Sequence, residues 1–234
     1  MKKITAVIAT QAKSMQEFEK RPIFSSLQRL FDMKDLFSKD KFDFIIVKNN
    51  KDGLPKVYNK FLEDQKYAKD ILLFVHDDVE IEDMFLVEKL QNSPYDVTGL
   101  AGTKKADLSK SPGWHLMSGR EDWVGEVAHA EIKDGKKKVW TTSFGSTDSR
   151  ALLIDGLFIA VDVRALREKN VKFNEKFEFH HYDLSFCIDC NKAKVKIGVL
   201  PIRVVHHGLG DSMLSEDWKV SAEIFNQTYG TNNN

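Results

Sequence analysis

Residues Ile71–Asp83 read Ile-Leu-Leu-Phe-Val-His-Asp-Asp-Val-Glu-Ile-Glu-Asp, so an unbroken apolar run leads directly into a histidine and two adjacent carboxylates. A short apolar run without polar alternation is typical of a parallel strand that is covered on both faces. The helix-like segment Val57–Ala68 precedes this run and favours an open α/β sheet. Because such sheets bind ligands beyond the carboxyl ends of their strands, we expect a binding site next to Asp77 and Asp78.

The two adjacent carboxylates, Asp77 and Asp78, have two interpretations. Like charges this close repel unless a cation or strong hydrogen-bond donors lie between them, and carboxylate oxygens are the ligands that Mg²⁺ and Mn²⁺ prefer. The alternative is a solvated turn or a helix cap that binds nothing. This stretch alone leaves both interpretations open.

Composition restricts the class of protein. The chain has 234 residues, of which 42% are hydrophobic and 30% charged, so it can bury one large core. Lys+Arg and Asp+Glu both number 35, and the resulting net charge of zero gives no overall attraction to nucleic acid or anionic lipid. No apolar segment approaches the roughly 20 residues that span a bilayer, and the N-terminus does not resemble a secretory signal. We therefore expect a cytoplasmic protein without a transmembrane segment.

The first hundred residues alternate between strand-like and helix-like segments. Such alternation predicts a mainly parallel sheet between helices. The predicted strands are Lys3–Ala9, Phe42–Val47 and Tyr95–Gly102, and the predicted helices are Ser14–Leu30, which Pro22 breaks in two, Leu54–Lys66 and Met84–Leu90.

Residues 103–150 are rich in glycine and tryptophan. The segments Glu126–Ile132 and Lys136–Ser143 flank the dipeptide Asp134-Gly135, which predicts a β-hairpin. Trp114 and Trp123 lie in the predicted loops. Their rings either fix the loops to the core or stack on a flat ligand such as a sugar, on a segment that closes over the site.

Three polar features interrupt the apolar pattern of the last third. Asp155 and Gly156 fall within the predicted strand Ala151–Val161, where they are costly unless they face a ligand or form a bulge. Asp183 lies at the start of a predicted helix, where a capping carboxylate alone stabilises by about 1 kcal/mol. The third feature is an apolar run that ends in His206 and His207.

Five motifs, in this order, resemble the nucleotide-sugar glycosyltransferases of the A-type fold, specifically the family 2-like group. They are Val57-Tyr58-Asn59, Phe74-Val75-His76-Asp77-Asp78-Val79, Leu153-Ile154-Asp155-Gly156, His181-Tyr182-Asp183-Leu184 and Val205-His206-His207-Gly208. The resemblance implies a single α/β domain over residues 1–234, with a Rossmann-like, mostly parallel central sheet, helices on both faces and a small β-hairpin. Residues 1–102 would form the nucleotide-sugar-binding half, and residues 103–234 the acceptor-binding and catalytic half.

The resemblance also implies a role for each residue of the site. A divalent cation, Mn²⁺ or Mg²⁺, would join the donor diphosphate to Asp78, with His206 or its neighbour His207 as a second ligand. Asp183 would act as the base of an inverting transfer. The expected substrate-binding residues are Thr10, Gln11, Asn50, Tyr58, Asn59 and Asp77 for the nucleoside, Trp114 and Trp123 for the acceptor, and Asp155, Gly156 and His181 nearby.

The expected partners are a nucleotide-sugar donor, with a UDP-sugar as the first expectation, and a glycan, lipid-linked or protein acceptor. Such an enzyme would serve cell-surface glycan or glycoconjugate synthesis in the cytoplasm, or at the inner membrane face. Three other classes stay open. A nucleotidyltransferase would need a glycine-rich loop after the first strand, but residues 10–21 contain no glycine. A metal-dependent phosphohydrolase would not explain the function of the tryptophan-bearing loops. The last class is a non-catalytic sugar- or protein-binding module.

Overall fold

The computed structural model describes residues 2–33, 41–133, 135–208 and 215–230. Its strands are β1 Ile4–Ala9, β2 Phe42–Val47, β3 Ile71–Val75, β4 Val79–Ile81, β5 Val97–Gly99, β6 Ala101–Thr103, β7 Trp123–Lys133, β8 Lys136–Ser143, β9 Ser149–Arg150, β10 Leu153–Ile154, β11 Phe158–Asp162, β12 Ile197–Val199 and β13 Val204–His206. Its α-helices are α1 Met15–Phe18, α2 Pro22–Asp32, α3 Leu54–Glu63, α4 Leu86–Gln91, α5 Val163–Glu168, α6 Tyr182–Lys192 and α7 Glu216–Tyr229. None of the helices in these ranges has the length and apolar character needed to cross a bilayer.

The central sheet is built around the apolar run that forms β3. Its strand order is β2-β1-β3-β11-β5-β12-β9, in which only β11 and β9 run against the other five strands. Every residue of β3 is buried, as expected of a strand between two covered faces. Helix α3 packs against β1 and β3, and α6 packs against β12. The predicted α/β fold with a mostly parallel central sheet is therefore confirmed.

A second sheet places the late histidines beside the end of β3. Its strand order is β10-β6-β7-β13-β4, and β8 pairs with β7. Strand β4 follows Asp78 directly, and His206 of β13 pairs with Val79 of β4. On its other side His206 pairs with His129 of β7. The second sheet thus brings a histidine close to the carboxylates that follow β3.

Strands β7 and β8 form the hairpin that the sequence predicts. They pair antiparallel from Glu126, opposite Ser143, to Lys133, opposite Lys136. Gly135 has a φ of +72°, a value that favours glycine in tight hairpin turns. Asp134, the other predicted turn residue, lies outside the described residues.

Two segments that the sequence presents as single strands are divided between the two sheets. The predicted strand Ala151–Val161 becomes β10 in the second sheet and β11 in the central sheet, and the chain changes sheets at Asp155 and Gly156. The predicted strand Tyr95–Gly102 divides in the same way into β5 and β6. The two crossings lie side by side, because the backbone N–H of Asp155 donates to the carbonyl of Ala101 at 2.9 Å. The polar interruption at Asp155 is therefore a crossing between sheets.

Candidate active site

A cavity of about 760 Å³ opens at the carboxyl ends of β1 and β3. Five of the residues that the sequence assigns to the site line it, namely Thr10, Gln11, Asn50, Asp77 and Asp78. The chain's second half also contributes, through residues before α6 and on α7. Among the lining residues that sequence reasoning missed are Arg21, Asp52, Glu178, His180, Asp217 and Ser221. The cavity thus joins residues that lie far apart in the chain.

Asp77 is held in one orientation at the wall of this cavity. Its Oδ2 accepts a hydrogen bond of 2.5 Å from the Thr10 hydroxyl and lies 3.3 Å from Nε of Arg21. Thr10 is itself fixed, because its carbonyl accepts from the backbone N–H of Asn50 at 2.9 Å. Charge-assisted hydrogen bonds of this kind are stronger than neutral ones. The Asp77 carboxylate therefore has a partner and a counter-charge within the chain.

Asp78 and His206 form an acid–histidine pair beside the cavity. Nε2 of His206 lies 3.3 Å from Oδ2 of Asp78, while Oδ1 of Asp78 is buried and has no hydrogen-bond partner among the described residues. The chain passes so closely over this pair that a Cβ at Gly208 would lie 2.7 Å from Nε2 of His206. A buried carboxylate oxygen without a partner is costly, so a ligand is expected there.

His207, the alternative metal ligand, belongs to a second acid–histidine pair. Its Nε2 lies 3.0 Å from Oε2 of Glu80, and its backbone N–H donates to the carbonyl of Asp78 at 2.9 Å. Successive side chains of an extended segment point to opposite sides. Of the two histidines, His206 is therefore the one that reaches the Asp78 carboxylate.

The environment of the first pair favours opposite charges on its members. Burial opposes the charged form of Asp78, but the hydrogen bond and charge of His206 outweigh burial and lower the pKa of this carboxyl below its usual value. Burial likewise opposes a charge on His206, yet the hydrogen bond and charge of Asp78 raise the pKa of this imidazole. A metal ion that binds here must displace the imidazole proton, so binding would release protons.

The donor set of this pair fits a divalent cation that is shared with a ligand. An oxygen and an imidazole nitrogen suit Mn²⁺, and the free Oδ1 of Asp78 can serve as a further ligand atom. The described residues hold no group of three or more His, Cys, Asp or Glu side chains arranged around one ion. A cation at Asp78 and His206 would therefore complete its shell with water and with ligand oxygens.

Asp155 lies at the crossing between the sheets and is fixed by Trp114. Its Oδ2 accepts from Nε1 of Trp114 at 3.0 Å, and its Oδ1 accepts from the backbone N–H of Leu157 at 3.0 Å. Trp114 is only 7% exposed and packs edge-to-face on Trp123 with ring centroids 5.5 Å apart. The buried Trp114 ring is not free to stack on a sugar, so it contributes to the site by orienting Asp155.

Asp183 is the second residue of α6. It is therefore not the helix cap, which was the alternative role that the sequence left open. The cap is His181, whose φ of +60° is left-handed. Burial first, and then the charge of Asp155, raises the pKa of Asp183 to about 7. A carboxyl that loses its proton near neutral pH has the property that general-base catalysis requires.

Tyr182 connects the start of α6 with the ends of the other site strands. Its hydroxyl donates to the carbonyl of Gly156 at 2.7 Å and lies 3.0 Å from Nε2 of His76. A Cβ at Gly156 would lie 2.6 Å from the Tyr182 hydroxyl oxygen, so this approach needs a glycine. Gly156 therefore has a structural role beside Asp183.

Seven of the eleven residues that the sequence assigns to the substrate lie outside the cavity lining, namely Trp114, Trp123, Asp155 and Gly156, which are placed above, and Tyr58, Asn59 and His181. Tyr58 is 1% exposed, and its ring stacks on Phe74 at 4.2 Å. Asn59 is also buried, and its side chain bonds to the backbone of Phe173. We correct the expectation for both, because α3 turns them toward the core. His181 is buried too, and its Nδ1 lies 2.8 Å from the hydroxyl of Ser221, which does line the cavity.

The fold is thus the mostly parallel α/β sheet that the sequence predicts, with carboxylates and a histidine near the carboxyl ends of its strands. The chain belongs to the glycosyltransferase-like family, whose model matches residues 26–229. The predicted class of enzyme is therefore confirmed. No curated protein sequence is similar enough to the chain to count as a match.

Solved structures with a similar course of the chain share little sequence with it. Protein A197 from STIV is 17% identical over 85% of this chain and 82% of its own, with a TM-score of 0.44. TarS 1-349 from S. aureus is 14% identical over 95% of this chain and 64% of its own, with a TM-score of 0.46. GalNAc-T7, crystallised with UDP, GalNAc and Mn²⁺, is 11% identical over 89% of this chain and 44% of its own, with a TM-score of 0.45. The chain thus spans less than two thirds of the last two proteins.

Proposed function

We propose that this glycosyltransferase moves a sugar from a nucleoside-diphosphate sugar, with UDP as the first choice of nucleotide, to an acceptor hydroxyl with inversion. The observation that carries the proposal is the pair of Asp78 and His206 beside the cavity, with a buried carboxylate oxygen that has no partner among the described residues. The proposed acceptor is a glycan, a lipid-linked sugar or a protein, in the synthesis of surface glycans or glycoconjugates.

The donor nucleoside is proposed to bind in the cavity between the ends of β1 and β3. Thr10, Gln11 and Asn50 offer polar groups at the ends of β1 and β2, and Asp77 offers a carboxylate that the hydroxyls of a ribose can reach. Arg21 adds a positive charge near the same wall. The buried residues Tyr58 and Asn59 are left out of the proposed donor site.

The diphosphate is proposed to lie against Asp78 and His206. These two residues would hold Mn²⁺ or Mg²⁺, which when bound neutralises charge on the leaving nucleoside diphosphate. Asp78 offers Oδ1 and His206 offers Nε2, and the glycine at position 208 leaves room for the pair, since a Cβ there would lie 2.7 Å from Nε2 of His206.

Asp183 is the proposed base for the acceptor hydroxyl. Its raised pKa, about 7, keeps it basic enough to accept a proton and still largely deprotonated at slightly alkaline pH. The charge of Asp155 helps to raise that pKa, and Trp114 holds Asp155 in position. Trp123 packs beside Trp114 and is the proposed link between this wall and the acceptor.

Donor assays with a panel of nucleotide sugars, with and without Mn²⁺, test the proposed function. We expect one nucleotide class to be consumed only when a divalent cation is present, with release of the nucleoside diphosphate. Release of a nucleoside monophosphate and a sugar phosphate would identify a phosphohydrolase instead. Formation of a nucleotide sugar from sugar phosphate and nucleoside triphosphate would identify a nucleotidyltransferase, and binding without turnover a sugar-binding module.

Replacing Thr10 with valine should weaken donor binding about 10-fold, measured by calorimetric titration with the nucleotide. Valine keeps the shape but removes the hydroxyl that holds Asp77, and a hydrogen bond to a charged group contributes about 1.5–3 kcal/mol. Thr5→Val is the matched control, because Thr5 lies on β1, which Thr10 directly follows, and its buried hydroxyl has no partner among the described residues. Equal losses in both variants would remove Thr10 from the donor site.

A further inference from the structure

Three aromatic rings on neighbouring strands form a row that begins at the proposed metal site. His206 on β13 pairs with His129 on β7, which in turn pairs with Trp140 on β8, so all three point to the same face of the second sheet. The rings of His206 and His129 meet edge-to-face at 5.9 Å, and those of His129 and Trp140 stack at 5.6 Å. Two strand spacings place Trp140 about 10 Å from His206.

Lysines continue this row toward the tip of the hairpin. Nζ of Lys138 lies 5.7 Å from the centre of the Trp140 ring, and Lys136 follows on the same face, because every second residue of a strand shares one face. Lys133 is the cross-strand partner of Lys136. We call His129, Trp140, Lys138, Lys136 and Lys133 the hairpin strip.

The hairpin strip carries an excess of positive charge. Glu131, opposite Lys138, is the one acidic residue on this face in the described part of β7 and β8. No acidic group of the described residues forms an ion pair with Lys133, Lys136 or Lys138, and all three are exposed. Lys137, on the opposite face, does pair with Glu80 at 3.4 Å. Since the whole chain has no net charge, this excess is local.

The exposed ring in the strip is suited to a carbohydrate. Trp140 is 38% exposed, although His129 stacks on its ring and Nζ of the exposed Lys138 lies over it, so a sugar that stacks on the indole must displace the Lys138 ammonium. Open indole faces are the usual platforms for the apolar face of a flat ligand ring. The strip is also separate from the donor cavity, since none of its members lines that cavity.

We propose that the hairpin strip binds the acceptor, and that the acceptor is an anionic carbohydrate chain. One sugar of the chain stacks on Trp140, and acidic groups further along pair with Lys138 and Lys136. The end of the acceptor that reacts lies at His206, and the distance from His206 to Trp140 exceeds the length of one sugar ring. This inference rests on the proposed function, because it takes the metal site as the place of transfer.

Binding to short oligosaccharides of matched length, one set carrying uronate or phosphate groups and the other neutral, tests the inference. The protein is loaded with Mn²⁺ and with the nucleotide that the donor panel identifies. We expect the parent to bind members of the anionic set more tightly than their neutral counterparts. Trp140→Ala should weaken that binding about 10-fold. Lys136→Ala with Lys138→Ala should weaken it about 10-fold at low salt and much less at high salt.

Two control variants lie on the opposite face of the same hairpin. Lys137→Ala removes a lysine, and Val139→Ala removes an exposed apolar side chain, without changing the hairpin strip. We expect both to bind the anionic oligosaccharides as the parent does. Losses in the control variants equal to those in the strip variants would overturn the inference.

Nucleotide binding separates a failure of this inference from a failure of the proposed function. If no nucleotide binds to the parent, the proposed function fails first. If nucleotide binds but no anionic oligosaccharide does, or if Trp140→Ala binds them unchanged, the inference is wrong. Vesicles that contain phosphatidylglycerol provide a last comparison: vesicle binding that needs Lys136 and Lys138, with oligosaccharide binding unaffected, would make the strip a membrane-binding surface and overturn the inference.

Discussion

Asp183→Asn should lower sugar transfer about 100- to 10,000-fold, the usual contribution of general-base catalysis, while nucleotide and metal still bind. Asparagine has nearly the same shape and can still accept the hydrogen bond of 2.9 Å that Asp183 takes from the backbone N–H of Leu184. It cannot accept the proton of the acceptor hydroxyl. Steady-state transfer and nucleotide titration, measured on the same preparation, separate the two properties.

The raised pKa of Asp183 also predicts that the same variant, although less active, is more stable than the parent. The folded protein holds the carboxyl proton up to about pH 7, whereas a carboxyl at its ordinary value of 3.8 has already lost it. Since the folded state binds more protons in this window, the parent loses stability as pH rises from about 4 to 7. Asparagine carries no such proton. At pH 8 Asp183→Asn should therefore be more stable than the parent, with a free energy of unfolding higher by at most about 4 kcal/mol. Thermal unfolding should show this as a higher melting temperature.

The pH dependence of the parent provides the control for this assignment. Its kcat/KM should fall as pH drops below about 7, because protonated Asp183 cannot act as a base. Transfer by Asp183→Asn within a few-fold of the parent would contradict the assignment. So would a difference in free energy of unfolding between the two proteins that stays constant from pH 4 to 8.

The central strand and its polar end could be predicted from sequence because their signal is local. An apolar run as short as β3, followed at once by Asp77 and Asp78, has few other structural interpretations. The positions of Tyr58 and Asn59 were predicted wrongly, although a local signal was available. Leu54, Tyr58 and Leu62 are spaced as one face of a helix, and this spacing places Tyr58 in the core.

Local sequence patterns do not show which distant strands pair with each other. The interruption at Asp155 does not show that the two halves of its segment join different sheets, because the residues of β10 and the first four of β11 are all apolar. The alternation of β7 places His129 on one face, but only the pairing with β13 turns that face toward the proposed metal site. His129 and Trp140 were missed for this reason, and the proximity of Asp78 and His206 came from the family resemblance.

Asp78→Asn should abolish divalent-cation binding and lower transfer about 1,000-fold or more, because the charge stabilisation that a bound metal supplies amounts to several kcal/mol. Asparagine keeps the size of the side chain but loses the negative charge that Oδ1 and Oδ2 share. His206→Gln should weaken binding of Mn²⁺ as well, since it removes the nitrogen 3.3 Å from Asp78. The free Mn²⁺ signal in electron paramagnetic resonance measures binding without any need for turnover.

The neighbouring acid–histidine pair supplies matched controls for both variants. Glu80→Gln and His207→Gln remove the same chemical groups from a pair 3.0 Å apart that lies beside the first pair but does not include Asp78. We expect both controls to bind Mn²⁺ and transfer sugar as the parent does. Asp183→Asn should also keep Mn²⁺ binding, so the metal and base assignments fail independently. If His207→Gln loses Mn²⁺ and His206→Gln keeps it, His207 is the metal ligand, and the side chains must rearrange when the metal binds.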